Sequence, residues 1–273
     1  MKKIVLITGA SAGIGKETAR LLLQKGYIVY GASRRTDRME GLRAIGVKVL
    51  AMDVTNDDSM TSGLRQIIDA EGRIDVLVNN AGFGSYGAVE DVSMADARYQ
   101  LDVNLFGLAR LTQLVLPHMR RQHSGKIVNV TSVGGKMAAP LGGWYHASKF
   151  AVEGLSDSLR MEVKPFGIDV IVIEPGGIKT EWGGIAMDNL RKVSGDGAYK
   201  DLAARMSAMS EKIEKKTSKS ATPSVIADLI LHAIEVKRPK TRYVKGYLAR
   251  PILFMKRWLS DAQFDRMITG QLK

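Results

Sequence analysis

Tyr145 and Lys149 stand four residues apart in YHASKFAVEG, a stretch with helical spacing, so their side chains share one helix face. An ammonium beside a phenol favours the phenolate. The spacing therefore predicts a tyrosine whose pKa, ordinarily about 10, is lowered toward use as an acid or base. Ser132 lies upstream at the carboxyl end of the strand-like run GKIVNVTS, the sheet edge where a substrate would sit. A Tyr/Lys pair alone also describes many solvated helix faces; its place after Ser132 sets this one apart.

A second set of residues could hold phosphate. Gly9, Gly13 and Gly15 in LITGASAGIGKE follow an apolar run and open a helical pattern. Without a Cβ, each lets the backbone turn and approach a pyrophosphate at the helix N-terminus. Their spacing, G-x-x-x-G-x-G, differs from the commoner G-x-G-x-x-G, and in isolation an ordinary glycine-rich turn would look the same. Past the next apolar run stand Ser33, Arg34 and Arg35. A free ribose 2′-OH usually meets a carboxylate there, whereas a 2′-phosphate needs positive charge. Two guanidiniums and an uncharged serine suit the phosphate, so NADP(H) is expected in preference to NAD(H). An exposed basic turn is the alternative.

The elements that must position these groups alternate. Strand-like runs KIVLIT, YIVYGAS, KVLAMDV, DVLVNNAG, GKIVNVTS and IDVIVIEPG are continuously apolar, as in strands covered on both faces. Helical spacing fills the gaps at Lys16 to Gln24, Ser59 to Ala70, Met94 to Arg121 and Tyr145 to Lys164. Strand then helix, repeated, predicts an α/β fold: one Rossmann-type doubly wound parallel sheet flanked by helices on both faces. A single domain over 1–273 is expected. It divides into a cofactor-binding and catalytic core (1–180), a substrate lobe or lid (181–222), and a C-terminal segment (223–273) with a helix, the edge strand RYVKG and a basic amphipathic tail.

With these motifs in order, the chain resembles the short-chain dehydrogenase/reductase superfamily, in its single-domain form. TGASAGIG, from Thr8 to Gly15, resembles the family's cofactor loop and brings in Ser11 and Ile14. NNAG resembles the element that steadies the central sheet and adds Asn80, Ala81 and Gly82 to the cofactor contacts. Asp53 and Val54 match the pair beside adenine. PGGIKT resembles the stretch that meets the nicotinamide, through Pro175, Gly176, Ile178 and Thr180. YHASK matches Y-x-x-x-K, and Asn104 in LDVNLFG matches the asparagine of the catalytic tetrad.

The resemblance implies a carbonyl/alcohol oxidoreductase in which Tyr145 exchanges the proton and Ser132 holds the carbonyl oxygen. Lys149 would lower the Tyr145 pKa and bind the nicotinamide ribose, while Asn104 would hold a water linking Lys149 to solvent. It also implies a homodimer or homotetramer paired through the two long helices.

The pocket walls offer Phe83, Tyr86, Met137, Leu141, Trp144, Trp182 and Met187, with Lys136 and Lys179 as nearby charges. Few anchors among apolar walls suit a hydrophobic ketone, aldehyde or secondary alcohol, steroid-, retinoid- or lipid-like. The chain has no cysteine, which excludes disulfides, thiol nucleophiles and cysteine metal sites. No metal centre is expected, and a cytoplasmic location is the default.

The net charge of +12 concentrates in the tail, where ten basic residues from Val236 onward face two aspartates. The tail's apolar spacing predicts a basic amphipathic helix, packed on its own domain or a partner subunit in preference to an anionic membrane. No nucleic-acid partner is expected, because no element that reads bases accompanies the charge. The rival reading of the whole chain is a catalytically silent dinucleotide sensor of the same fold.

Overall fold

A computed structural model describes residues 2–217 and 221–272. Seven strands among them form one parallel sheet: β1 (Ile4–Thr8), β2 (Ile28–Ser33), β3 (Lys48–Ala51), β4 (Val76–Asn79), β5 (Gly125–Val130), β6 (Ile168–Pro175) and β7 (Arg242–Lys245). Their order is β3-β2-β1-β4-β5-β6-β7. The chain winds outward from β1 in one direction and then from β4 in the other. The gap between β1 and β4 at their carboxyl ends is thus the switch point, where such sheets take ligands.

Alternate residues of each strand feed opposite faces. Val5 and Ile7 of β1 pack with Ala19 and Leu22 of α1 (Gly13–Gln24) and with Ile226 and Ile230 of α9 (Pro223–Glu235). Ile4 and Leu6 pack on the other side. They meet Leu64 of α3 (Asp57–Glu71), Leu111 of α5 (Gly107–Gln122) and Leu159 of α6 (Gly143–Val163). The short helix α2 (Glu40–Ala44) closes the β2 to β3 crossover. Burying strands on both faces explains their unbroken apolar runs.

The long helix expected from Met94 to Arg121 is not uniform. It begins as α4 (Met94–Leu101), capped by Ser93, widens into one π turn over Asp102–Phe106, and resumes as α5. The π turn falls on Asn104. Inserting one residue into the helical ladder rotates that side chain out of register, a deformation that recurs at functional sites.

Beyond β6, α7 (Glu181–Ser194) and α8 (Lys200–Thr217) pack on each other across Met187, Leu190, Ala203 and Met206. Residues 218–220 of the expected lobe lie outside the described residues. The single tail helix expected from the sequence is two, α10 (Ala249–Trp258) and α11 (Asp261–Gly270). Ser260 and Gln263 form a capping box that starts the second. Among the described residues no helix is long and apolar enough to cross a membrane.

Candidate active site

At the switch point the chain turns out of β1 through Gly9, whose φ of +67° favours glycine. A Cβ there would lie 2.9 Å from both the Ala81 Cα and the Asn80 side-chain nitrogen. Asn80 holds the turn by donating to the Thr8 carbonyl at 2.9 Å, and the Thr8 hydroxyl accepts from the Asn80 and Ala81 amides. Ala12 precedes α1 and caps nothing, so no side chain satisfies the amides of the first turn. Uncapped amides at a glycine cradle fit the pyrophosphate of a dinucleotide. Gly15 acts differently: a Cβ would sit 2.4 Å from the Gly9 carbonyl, and the residue does not line the cavity. Its role is the close seating of α1 on β1.

The arginines stand at the other end of the cleft, with Ser33, Asp53 and Val54. Arg34 donates to the Tyr99 hydroxyl and lies 3.8 Å from the Asp53 carboxylate. Arg35 donates to Ser11 Oγ at 3.2 Å and to Glu181 at 3.0 Å, and Arg38 reaches the same carboxylate at 3.0 Å. Burial alone would raise the Glu181 pKa, but the two guanidiniums bring it below its ordinary value. Sequence reasoning missed Glu181 and Arg38. The first directly follows Thr180, whose hydroxyl caps α7, and the second lies three residues past Arg35.

Between these ends, Ser132 follows β5 and accepts from the Gly134 amide at 3.0 Å, and its hydroxyl is hydrogen-bonded to the Tyr145 phenol. Lys149, one turn further along α6, donates to the Val130 carbonyl at 3.1 Å. Gly82 leaves space for Asn104, since a Cβ there would lie 3.1 Å from Asn104 Oδ1. Asn104 stands behind the cavity wall and does not line it. Its amide donates to the Phe83 carbonyl and to Ser148 Oγ, which in turn donates to the Tyr145 carbonyl. What these bonds support is the turn of α6 that precedes Lys149 and the Phe83 backbone beside it.

The electrostatics correct one expectation. Burial pushes the Tyr145 phenol up to about 12, against the pull of its Ser132 hydrogen bond. Burial also pulls Lys149 down to about 8, against the field of Glu153. Desolvation is the largest influence on both groups, and neither shift draws on the other residue of the pair that the four-residue spacing predicted. Tyr145 is therefore held protonated, the form that donates a proton.

Under this site lies a buried charge cluster absent from sequence reasoning. Glu153 accepts from Thr131 at 2.6 Å and pairs with Lys136 at 2.8 Å and Arg242 at 3.0 Å. Arg242 also reaches Asp157 at 2.7 Å and Glu174 at 3.4 Å. Burial and the neighbouring Glu153 raise Glu174 to about 7. Lys136, expected as a charge near the substrate, is spent here. The members come from distant positions on α6, β6, β7 and the loop after Ser132, so no local pattern announces them.

The cleft and its continuation past Tyr145 form one cavity of about 750 Å³ in all, lined on the far side mainly by apolar residues. Phe83, Tyr86, Met137, Trp182 and Met187 line it as expected, and Lys179 is also on its wall. The Tyr145 ring lies 5.1 Å from Trp182 and 5.7 Å from Tyr86, centroid to centroid. Two expected pocket residues do not line it. Leu141, with φ +62°, turns into the packing around Met187 and Leu190, and half-buried Trp144 points elsewhere. Missed were Met206 and Met209 of α8 and Ile252 of α10, whose spacing marks an apolar helix face without saying what it covers. His146 was missed too: its Nε2 accepts from the Ala139 amide and its Nδ1 meets the Gly134 carbonyl, bracing the loop that carries Ser132.

Such a sheet, with an uncapped glycine cradle at its switch point and a Ser/Tyr/Lys set beside it, defines a dinucleotide-dependent oxidoreductase. The family model described as short chain dehydrogenase matches residues 3–189, and the chain belongs to that family. It is 40% identical over 261 residues to a 3-ketodihydrosphingosine reductase of Bacteroides thetaiotaomicron, covering 95% of this chain and 94% of that one. It is 31% identical over 286 residues to an NADPH-dependent 3-dehydrocapnine reductase of Ornithobacterium rhinotracheale, covering 99% and 98%.

Among solved structures, a short-chain dehydrogenase from Streptomyces avermitilis superposes with a TM-score of 0.80 at 31% identity, over 93% of this chain and 92% of that one. The closed form of a serine dehydrogenase complexed with NADP+ gives 0.76 at 27%, over 89% and 94%. The chain is thus an oxidoreductase that works with a nicotinamide dinucleotide.

Proposed function

We propose that this protein is an NADP(H)-preferring reductase of a ketone carried on a long apolar molecule. The observation that carries this is the position of the Tyr145 phenol, between the dinucleotide cleft and the apolar lobe walled by Tyr86, Trp182 and Met187. A bound nicotinamide supplies or accepts the hydride. Tyr145, kept protonated by burial, donates to the carbonyl oxygen, and Ser132 donates a second hydrogen bond that holds that oxygen in line. Lys149 binds the ribose hydroxyls, and Asn104 fixes the π turn and Ser148 so that Lys149 and Tyr145 keep their spacing. Thr8, Ser11, Gly13 and Ile14 take the pyrophosphate side, Asp53 and Val54 the adenine, and Asn80, Ala81 and Gly82 the ribose side. Pro175, Gly176, Ile178 and Thr180 meet the nicotinamide.

Arg34 and Arg35, joined by Arg38, support the 2′-phosphate, and both relatives are named as reductases, one of them NADPH-dependent. Exposed Phe106, Phe150 and Met161 on the two long helices support a homodimer or homotetramer paired there. The test is NADPH oxidation with 3-ketodihydrosphingosine as the first substrate, beside short ketones and with NADH in parallel. Turnover is expected to favour NADPH and the long-chain ketone. Equal rates with NADH, or a preference for short polar ketones, would overturn the corresponding half of the proposal.

A further inference from the structure

The C-terminal helices divide the tail between two surroundings. α11 turns Phe264 and Ile268 inward against Met137, where both are buried. α10 turns outward: Phe254 is 65% exposed and Trp258 69%, with ring centroids 6.3 Å apart. Leu248, the residue that caps the start of α10, is 45% exposed. Arg250 and Arg257 flank this stripe; both are exposed, and neither is ion-paired among the described residues. The Arg257 guanidinium lies 5.9 Å from the Trp258 ring.

The start of α10 also reaches the cavity. Leu248 lines it while half exposed, which puts this residue at the rim, and Ile252 of the same helix forms wall further in. Across the rim, Ile185 of α7 combines the same two properties, lining the cavity while 48% exposed. An aromatic and aliphatic stripe flanked by unpaired arginines, in a tail carrying ten basic residues against two acidic ones, matches an anionic lipid surface in both polarity and charge.

We infer that the outer face of α10 docks on an anionic membrane surface, seating Phe254 and Trp258 among the acyl chains and Arg250 and Arg257 at the headgroups. The cavity rim at Leu248 then faces the lipid, and an apolar substrate passes from bilayer to pocket without crossing water. The surface lies outside the catalytic set, so the inference stands whichever ketone proves to be the substrate. Phe106, Phe150 and Met161, the exposed residues of the long helices, belong to other elements and are not part of it.

Co-sedimentation of the full-length protein tests it, using vesicles of phosphatidylcholine alone and of equal parts phosphatidylcholine and phosphatidylglycerol. Binding is expected to the mixed vesicles at low ionic strength and to weaken as salt is added. Arg250→Gln with Arg257→Gln should weaken it by about fivefold per charge removed. Phe254→Ser with Trp258→Ser should abolish it, and thermal melting should show both double variants folded. Absence of wild-type binding to the mixed vesicles would overturn the inference, as would binding that neither pair changes. Light scattering decides the remaining case: if Phe254→Ser with Trp258→Ser splits a wild-type assembly into smaller units, the stripe is an interface between copies and the inference fails.

Discussion

The two sides of the cavity are built from different materials. On the side formed before Thr180, buried polar groups lock one element to the next. Asn79 donates to Thr112 and to Asn129, Asn129 donates to Ser156, and Asn80 holds the Thr8 turn. On the side formed after Thr180, the wall is Trp182, Met187, Met206, Met209 and Ile252. Satisfied buried hydrogen bonds permit one geometry, because a displaced partner would leave an orphaned group costing about 1–3 kcal/mol. Thioethers and aliphatic chains repack at little cost. The first material suits a ligand that never varies, the dinucleotide; the second suits an apolar ligand of adaptable shape.

The sharpest break in that comparison is Tyr145→Phe, which removes only the phenolic oxygen from the rigid side. We expect kcat to fall by about 10²–10⁴-fold, the usual worth of a positioned proton donor, while dinucleotide binding is unchanged by fluorescence titration. Retained turnover would assign the proton to another group.

Lys149→Met should trade activity for stability. Burial pulls Lys149 down to about 8 from an ordinary 10.5, so the folded protein pays for keeping it charged. The lost bond to the Val130 carbonyl offsets part of the relief, leaving a net gain of about 1–2 kcal/mol. The sign with pH follows from proton counts. Below pH 8 the lysine is charged in both folded and unfolded chains, and the cost is full. Between 8 and 10.5 the unfolded chain binds more protons, wild-type stability rises with pH, and the variant's advantage shrinks. Urea unfolding at about pH 7 and about pH 10 reads this directly, and a variant less stable than wild type at both would refute it.

On the adaptable side, Trp182→Ala removes a ring 5.1 Å from Tyr145. Its expected effect is a KM for the long-chain ketone raised about tenfold, with kcat and the KM for NADPH little changed. A fall in kcat alone would mean that Trp182 positions Tyr145 and does not hold substrate.

Much of the rigid side is legible in the sequence because its chemistry is local: glycines at fixed spacing make the turn, and four residues on one helix bring Tyr145 and Lys149 together. The π turn at Asn104 is not legible, since the apolar spacing of LDVNLFGLARL reads as unbroken helix, and nothing local marks that Gly107, where α5 begins, sits so close to Val54 that a Cβ would meet its carbonyl. The rise of the Tyr145 pKa was also hidden. Spacing shows the neighbouring lysine but not the burial that raises the phenol. Nor could spacing reveal that Lys136 turns to Glu153, or that Met206, Met209 and Ile252 meet Trp182 across one cavity, because those contacts depend on how α8 and α10 fold back on the sheet.

Glu181 joins the two sides, and its substitution gives the smallest and most discriminating effect. It opens α7, the first adaptable element, yet its carboxylate binds Arg35 and Arg38 of the rigid side. A 2′-phosphate and this carboxylate are both anions seeking the same guanidiniums, so each weakens the other's hold. Glu181→Gln keeps a hydrogen-bonding group there but removes the competing charge. NADPH should bind about threefold more tightly, and NADH, with no phosphate to offer, should bind as before. Adding Arg35→Ser to Glu181→Gln should cancel the gain. Isothermal titration with both dinucleotides separates the outcomes: tightening of both would make Glu181 a tether on α7 that slows entry to the cleft for either, and no change in either would remove Arg35 and Arg38 from the phosphate site.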